Sequence, residues 1–205
     1  MESMKEKKDK ISFDDQLSAF LDCGFQLNPG VGEFELNQWP RTTEEFENKP
    51  FSHLYQVLGQ PVNRERMTPF TNQCWFFNLE CVEGNGVYVN IMQNISRISN
   101  GELQFENLKD HVDFRKREAW ISFDCNGEAC KWDLKVDDDW ADGEIFEMVQ
   151  GLAEKYNTTK RFTYFDSGGS TFVLGYHSHE ELKKLIKLTG LKIAWLDPEV
   201  FNDQV

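Results

Sequence analysis

From Ser12 onward apolar residues recur at helical spacing, as Phe13, Leu17, Phe20 and Leu21, with Ser12 placed to cap the turn and Gly24 to stop it. Residues 25–41, with Asn28-Pro29-Gly30 and Trp39-Pro40, read as irregular chain. Thr42-x-x-Glu45 has the spacing of a capping box, and Phe51, Leu54, Tyr55 and Leu58 then fall on one helical face that Gly59 ends. Beyond Pro69 the period changes to two. Cys74–Cys81 and Val87–Ile91 are expected as strands, the second running on towards Ile98, with Glu83-Gly-Asn-Gly86 as the link and Asn100-Gly101 as a further hairpin signal.

Asn126-Gly127 predicts a type I′ hairpin, because both central residues take positive φ and these two types tolerate it best. That turn pairs Cys125 with Glu128, Phe123 with Cys130 and Ile121 with Trp132. A helix carrying Ile145, Val149, Leu152, Ala153 and Tyr156 on one side follows, with Asp139 as its expected N-cap. Arg161–Asp166 and Ser170–Tyr176 form a hairpin about Gly168-Gly169. Ser178-x-x-Glu181 is a capping box for a last helix with Leu182, Leu185 and Ile186 inward, ended by Gly190 before a strand over Leu191–Leu196. Helices first, then consecutive strands, then helix, hairpin, helix and strand predict an α+β fold, an antiparallel meander with helices packed on one face. Residues 1–11 read as a flexible charged tail and 12–205 as one α+β domain, helical over 12–60 and sheet-based over 70–205.

The 205 residues include 22 Lys+Arg against 35 Asp+Glu, a formal charge of −13. Such a field repels phosphates and anionic headgroups, so neither direct nucleic-acid binding nor a membrane surface is expected, whereas a basic protein would be attracted. The hydrophobic share of 40%, with 17 Phe, suffices for a core. No apolar run approaches the roughly 20 residues of a membrane span, and the first ten residues lack the apolar stretch of a secretory leader, so a cytoplasmic protein is expected. Five cysteines without a C-x-x-C pair read as reduced thiols in that compartment.

Carboxylates are densest over Asp137-Asp138-Asp139-Trp140-Ala141-Asp142-Gly143-Glu144. As a calcium loop from Asp138 the segment fails, since its twelfth position is Val149 where a bidentate Glu is needed. One acid suffices to cap a helix; the surplus repels itself unless a cation or basic partner offsets it. Asp137, Asp138, Asp139, Asp142 and Glu144 are therefore the candidate contacts for a basic partner, with Trp140 as the candidate anchor. The alternative is a metal-dependent enzyme that gathers Glu80, Asp138, Asp166 and His177. His177-x-His179 lacks a third ligand at a recognisable spacing and reads as exposed loop histidines, while Cys81 has no cationic neighbour to activate it. Phosphate-cradling and nucleophile-elbow motifs are missing, and no cofactor is expected.

Taken together, Asn28-Pro29-Gly30, Lys49-Pro50-Phe51 with Leu58-Gly59, Asn78-Leu79-Glu80-Cys81, Asp137-Asp138-Asp139-Trp140 and Thr189-Gly190-Leu191 with Trp195-Leu196 resemble uncharacterised acidic bacterial proteins of this length. These are similar in type to the immunity proteins of polymorphic toxin systems. The resemblance implies a non-enzymatic inhibitor of a basic toxin or nuclease, and it transfers no functional residue.

Overall fold

The computed structural model of the chain describes residues 10–32, 35–36, 43–62 and 68–196, and within them six helices and seven strands. The helices are α1 (Phe13–Asp22), α2 (Thr43–Asn48), α3 (Ser52–Leu58), α4 (Val87–Ile98), α5 (Glu144–Lys155) and α6 (His179–Thr189). The strands are β1 (Cys74–Asn78), β2 (Phe105–Asp113), β3 (Glu118–Cys125), β4 (Glu128–Leu134), β5 (Arg161–Gly168), β6 (Thr171–His177) and β7 (Ala194–Trp195). All pairing is antiparallel, in one sheet of order β1-β6-β5-β7 and a meander of order β2-β3-β4. The fold is α+β. Residues 1–9 and Thr42, where the charged tail and the first capping box were expected, lie outside the described residues. Among the described residues no helix is long and apolar enough to cross a membrane.

The central strand organises everything else. Every residue of β6 from Phe172 to His177 is buried, and alternate side chains serve two different cores. Phe172, Leu174 and Tyr176 join Trp75, Phe77 and Phe162 against α4, α5 and the meander. Val173 on the other face joins Cys74 and Phe165 against α1, α2, α3 and α6. Helices thus cover both faces of this sheet. That explains why Phe-Val-Leu-Gly-Tyr reads as an unbroken apolar run instead of an alternating one. Gly175 leaves room within it that a larger residue would fill: a Cβ there would stand 2.4 Å from His177 Cε1 and 2.9 Å from Thr163 Oγ1.

The Asn126-Gly127 turn adopts φ of 48° and 87°, and β3 and β4 pair in the expected register, Ile121 opposite Trp132 and Phe123 opposite Cys130. The expected strand at Val87–Ile91 is instead the start of α4. Tyr88, Ile91, Met92, Ile95 and Ile98 form its buried stripe, and this 3–4 periodicity outweighs the β-branched content of Val87-Tyr-Val. Its N-terminus is held from β2: the Asp110 carboxylate accepts the N–H groups of Gly86 at 2.7 Å, Tyr88 at 3.0 Å and Val89 at 3.2 Å. Asn100 and Gly101, at φ of 52° and 82°, turn the chain out of that helix and do not close a hairpin. On α6 the Ser178–Glu181 capping box is present, but Ile186 is 37% exposed and Thr189 takes the inward position.

Candidate functional site

Two segments distant in sequence are stitched side by side. Ala141 donates its N–H to Leu79 O at 2.8 Å and Val82 donates to Asp139 O at 2.9 Å, with bridges linking Glu80 to Trp140 and Asp137 to Trp140. Asp138 takes a left-handed φ of 49° at the tip of this turn, a conformation that Asp tolerates better than most residues. Glu80 and Glu83 are thereby brought to the flank of Asp137, Asp138 and Asp139. All five are exposed, and among the described residues none of their carboxylates takes part in an ion pair or a side-chain hydrogen bond. Half-buried Cys81 lies between these acids. Burial, then the carboxylates of Asp139 and Glu83, push its thiol up to about 11, so it stays protonated.

The rest of the predicted contact set behaves differently. Asp142 is buried, and its carboxylate accepts the backbone N–H of Lys135 at 2.7 Å and of Glu144 at 3.1 Å. It therefore satisfies the start of α5 that was expected of Asp139, which stands one turn too early. Glu144 is engaged by the Lys135 ammonium. Trp140 packs against the core, and its own N–H turns back to Asp137 O at 2.9 Å. The open acids form a ridge that begins just after β1, three strands ahead of the sequence cluster, and stops before Asp142.

The alternative ligand set is not assembled. Glu80 and Asp138 stand on the ridge, but Asp166 accepts the Gly168 N–H at 2.7 Å within its own hairpin. His177 pairs opposite Arg161, at the end of β5 away from Asp166, and is buried, not exposed as expected. It shares the face of Val173 on β6 and has the Phe25 ring against it, whereas His179 is the first residue of α6 and stacks on Trp195. Among the described residues no group of three or more His, Cys, Asp or Glu side chains could hold a metal ion.

Beside the ridge a cleft of about 610 Å³ opens between β1 and the start of α4. Cys81 and Glu83 line its ridge end, Trp75, Phe76 and Phe77 its strand side, Val87 and Ile91 its helix side, and Asn78, Asn85 and Asn90 its rim. A smaller cleft of about 290 Å³ adjoins it and shares Trp75 and Asn90. The Arg97 cation in that second cleft is absorbed locally, donating to Thr71 O at 2.9 Å, Cys74 O at 3.3 Å and Asn94 Oδ1 at 3.0 Å.

Sequence reasoning missed Glu83, Asn85 and Asn90, since the segment was taken for a strand and its link. The signal that would have found them is the stripe Tyr88, Ile91, Met92, Ile95, which places Asn90 on the opposite, exposed face. No protein-family model, curated protein or solved structure matches this chain.

Proposed function

We propose that the chain is a non-enzymatic binding module for a basic protein, of the immunity type that inhibits a basic toxin or nuclease in the cytoplasm. The observation that carries this reading is the ridge of Glu80, Glu83, Asp137, Asp138 and Asp139, exposed together and without an ion pair among the described residues. Folding has gathered like charges from two segments although each addition raises their mutual repulsion. A partner's Lys and Arg residues offset that cost on docking, and the field also speeds their encounter. The overall charge of −13 acts in the same direction.

The test is kinetic. The partner used is the purified product of the neighbouring open reading frame, where that product is basic, and association is followed at low and high salt. The triple substitution Asp137→Asn, Asp138→Asn, Asp139→Asn should slow association by about tenfold at low salt and flatten its salt dependence, with dissociation little changed. Unchanged association in the variant removes the ridge from the interface. Failure of the wild-type chain to form a complex removes the function.

A further inference from the structure

We infer that the cleft between β1 and α4 takes a short extended stretch of the basic partner's polypeptide, gripping its backbone through amide groups while the ridge takes its basic side chains. This rests on the reading of the ridge as the docking surface and assigns the adjoining cavity to the same partner.

The first observation is the outer edge of β1, which among the described residues pairs with β6 alone. Antiparallel geometry turns the backbone groups of alternate residues outward, and the bond from Phe76 N to Gly59 O at 2.9 Å identifies these as Cys74, Phe76 and Asn78. Arg97 occupies the Cys74 carbonyl and Gly59 the Phe76 amide. Among the described residues the Phe76 carbonyl and the Asn78 backbone N–H remain without a partner, and both belong to the stretch that lines the larger cleft.

The second observation is the chemistry of the rim. The side-chain oxygens of Asn78, Asn85 and Asn90 accept from Glu80 N–H, Val112 N–H and Asn94 Nδ2. Among the described residues each keeps two amide hydrogens to give. A wall of carboxamide donors beside an outward carbonyl and an outward N–H matches a peptide backbone, which presents both an acceptor and a donor at every residue. The volume of about 610 Å³ and the run from Phe76 to Asn78 suit roughly three or four extended residues at about 3.3 Å each.

Charge then fixes the kind of segment. Glu83 lines the ridge end of the cleft, and Glu80 and Asp139 continue outward from it, so side chains leaving the bound stretch on that side meet three carboxylates. Among the described residues the guanidinium in the adjoining cleft is that of Arg97, which is held by backbone carbonyls and offers an incoming cation no competition for those acids.

The probe is a fluorescein-labelled hexapeptide alternating arginine and serine, followed by polarisation, beside the same peptide with N-methylated backbone amides. The protein variants are Asn90→Leu, which removes one amide from an exposed position, Asn90→Trp, which fills the cleft, and the triple Asp→Asn ridge variant. The expected result is saturable binding that falls about tenfold on backbone methylation and in both Asn90 variants, all retaining the wild-type melting temperature. If the ridge variant loses the peptide while methylation and the Asn90 variants change nothing, the ridge reading stands and the cleft inference is overturned. If the hexapeptide shows no saturable binding at millimolar concentration, the cleft inference fails, and binding of the basic partner protein then decides the ridge reading separately.

Discussion

His177 Nδ1 lies 2.9 Å from Thr163 Oγ1 across the β5–β6 pair, and its Nε2 meets no partner among the described residues. The Phe25 ring sits over it with centroids 6.4 Å apart. Burial first, with Glu181 opposing and Lys160 assisting, pushes the imidazole down to about 4. Between that value and the ordinary 6.5 the unfolded chain binds the proton and the folded chain does not, so stability rises with pH across this window. On the order of 3 kcal/mol should be lost on acidification from pH 7 to 4 through this one group. Urea titrations of wild type and His177→Gln over that range measure it as the difference between the two curves. Parallel curves would refute the assignment.

Gly175→Ala should cost about 1–3 kcal/mol through overpacking, because the new methyl meets His177 Cε1 at 2.4 Å. In a His177→Ala background part of this cost should vanish, leaving the contact with Thr163 Oγ1 at 2.9 Å. A double-mutant cycle in urea tests it, and strict additivity would show that the two side chains do not compete for this space.

Asp142→Ala strips acceptors from two backbone N–H groups and should destabilise by roughly 1–3 kcal/mol. Asp138→Asn, at an exposed carboxylate without a partner among the described residues, should stay within about 0.5 kcal/mol of wild type. Thermal melts of the two variants distinguish the acid that builds the corner from those that only face outward. Equal effects would contradict this division.

Cys81 reports the field of the ridge. Its alkylation by iodoacetamide at pH 8, followed by peptide mass spectrometry, should be far slower than that of a free thiol, because the thiolate is scarce. Combined Glu83→Gln and Asp139→Asn should accelerate it several-fold by lowering the thiol pKa, burial remaining as the larger cause. An unchanged rate would mean that these carboxylates do not act on the sulfur.

Where local chemistry decides the conformation, the chain is legible by eye. The Asn126-Gly127 register follows from positive φ at two adjacent residues, and the Ser178–Glu181 box from two reciprocal hydrogen bonds. The start of α4 is different, since Asp110 satisfies it from more than twenty residues downstream and nothing beside Gly86 announces a helix. Nor does β2 announce itself: only Val112 is buried on it, and a bulge between Glu106 and Lys109 breaks its alternation. The acidic corner was visible as composition. Its division into open and occupied carboxylates was not, because that depends on Asp142 accepting the Lys135 backbone N–H, on the Lys135 ammonium reaching Glu144 and on the pairing of residues 79–82 with 139–141.

Gly59 presses so closely on β1 that a Cβ there would stand 2.4 Å from Phe76 N, and its carbonyl already holds that amide. A stray strand arriving to zip along this border would find the midpoint of its path blocked. The chain can leave one end of the border open to a visitor and still deny a second molecule of itself the uninterrupted seam from which fibrils grow.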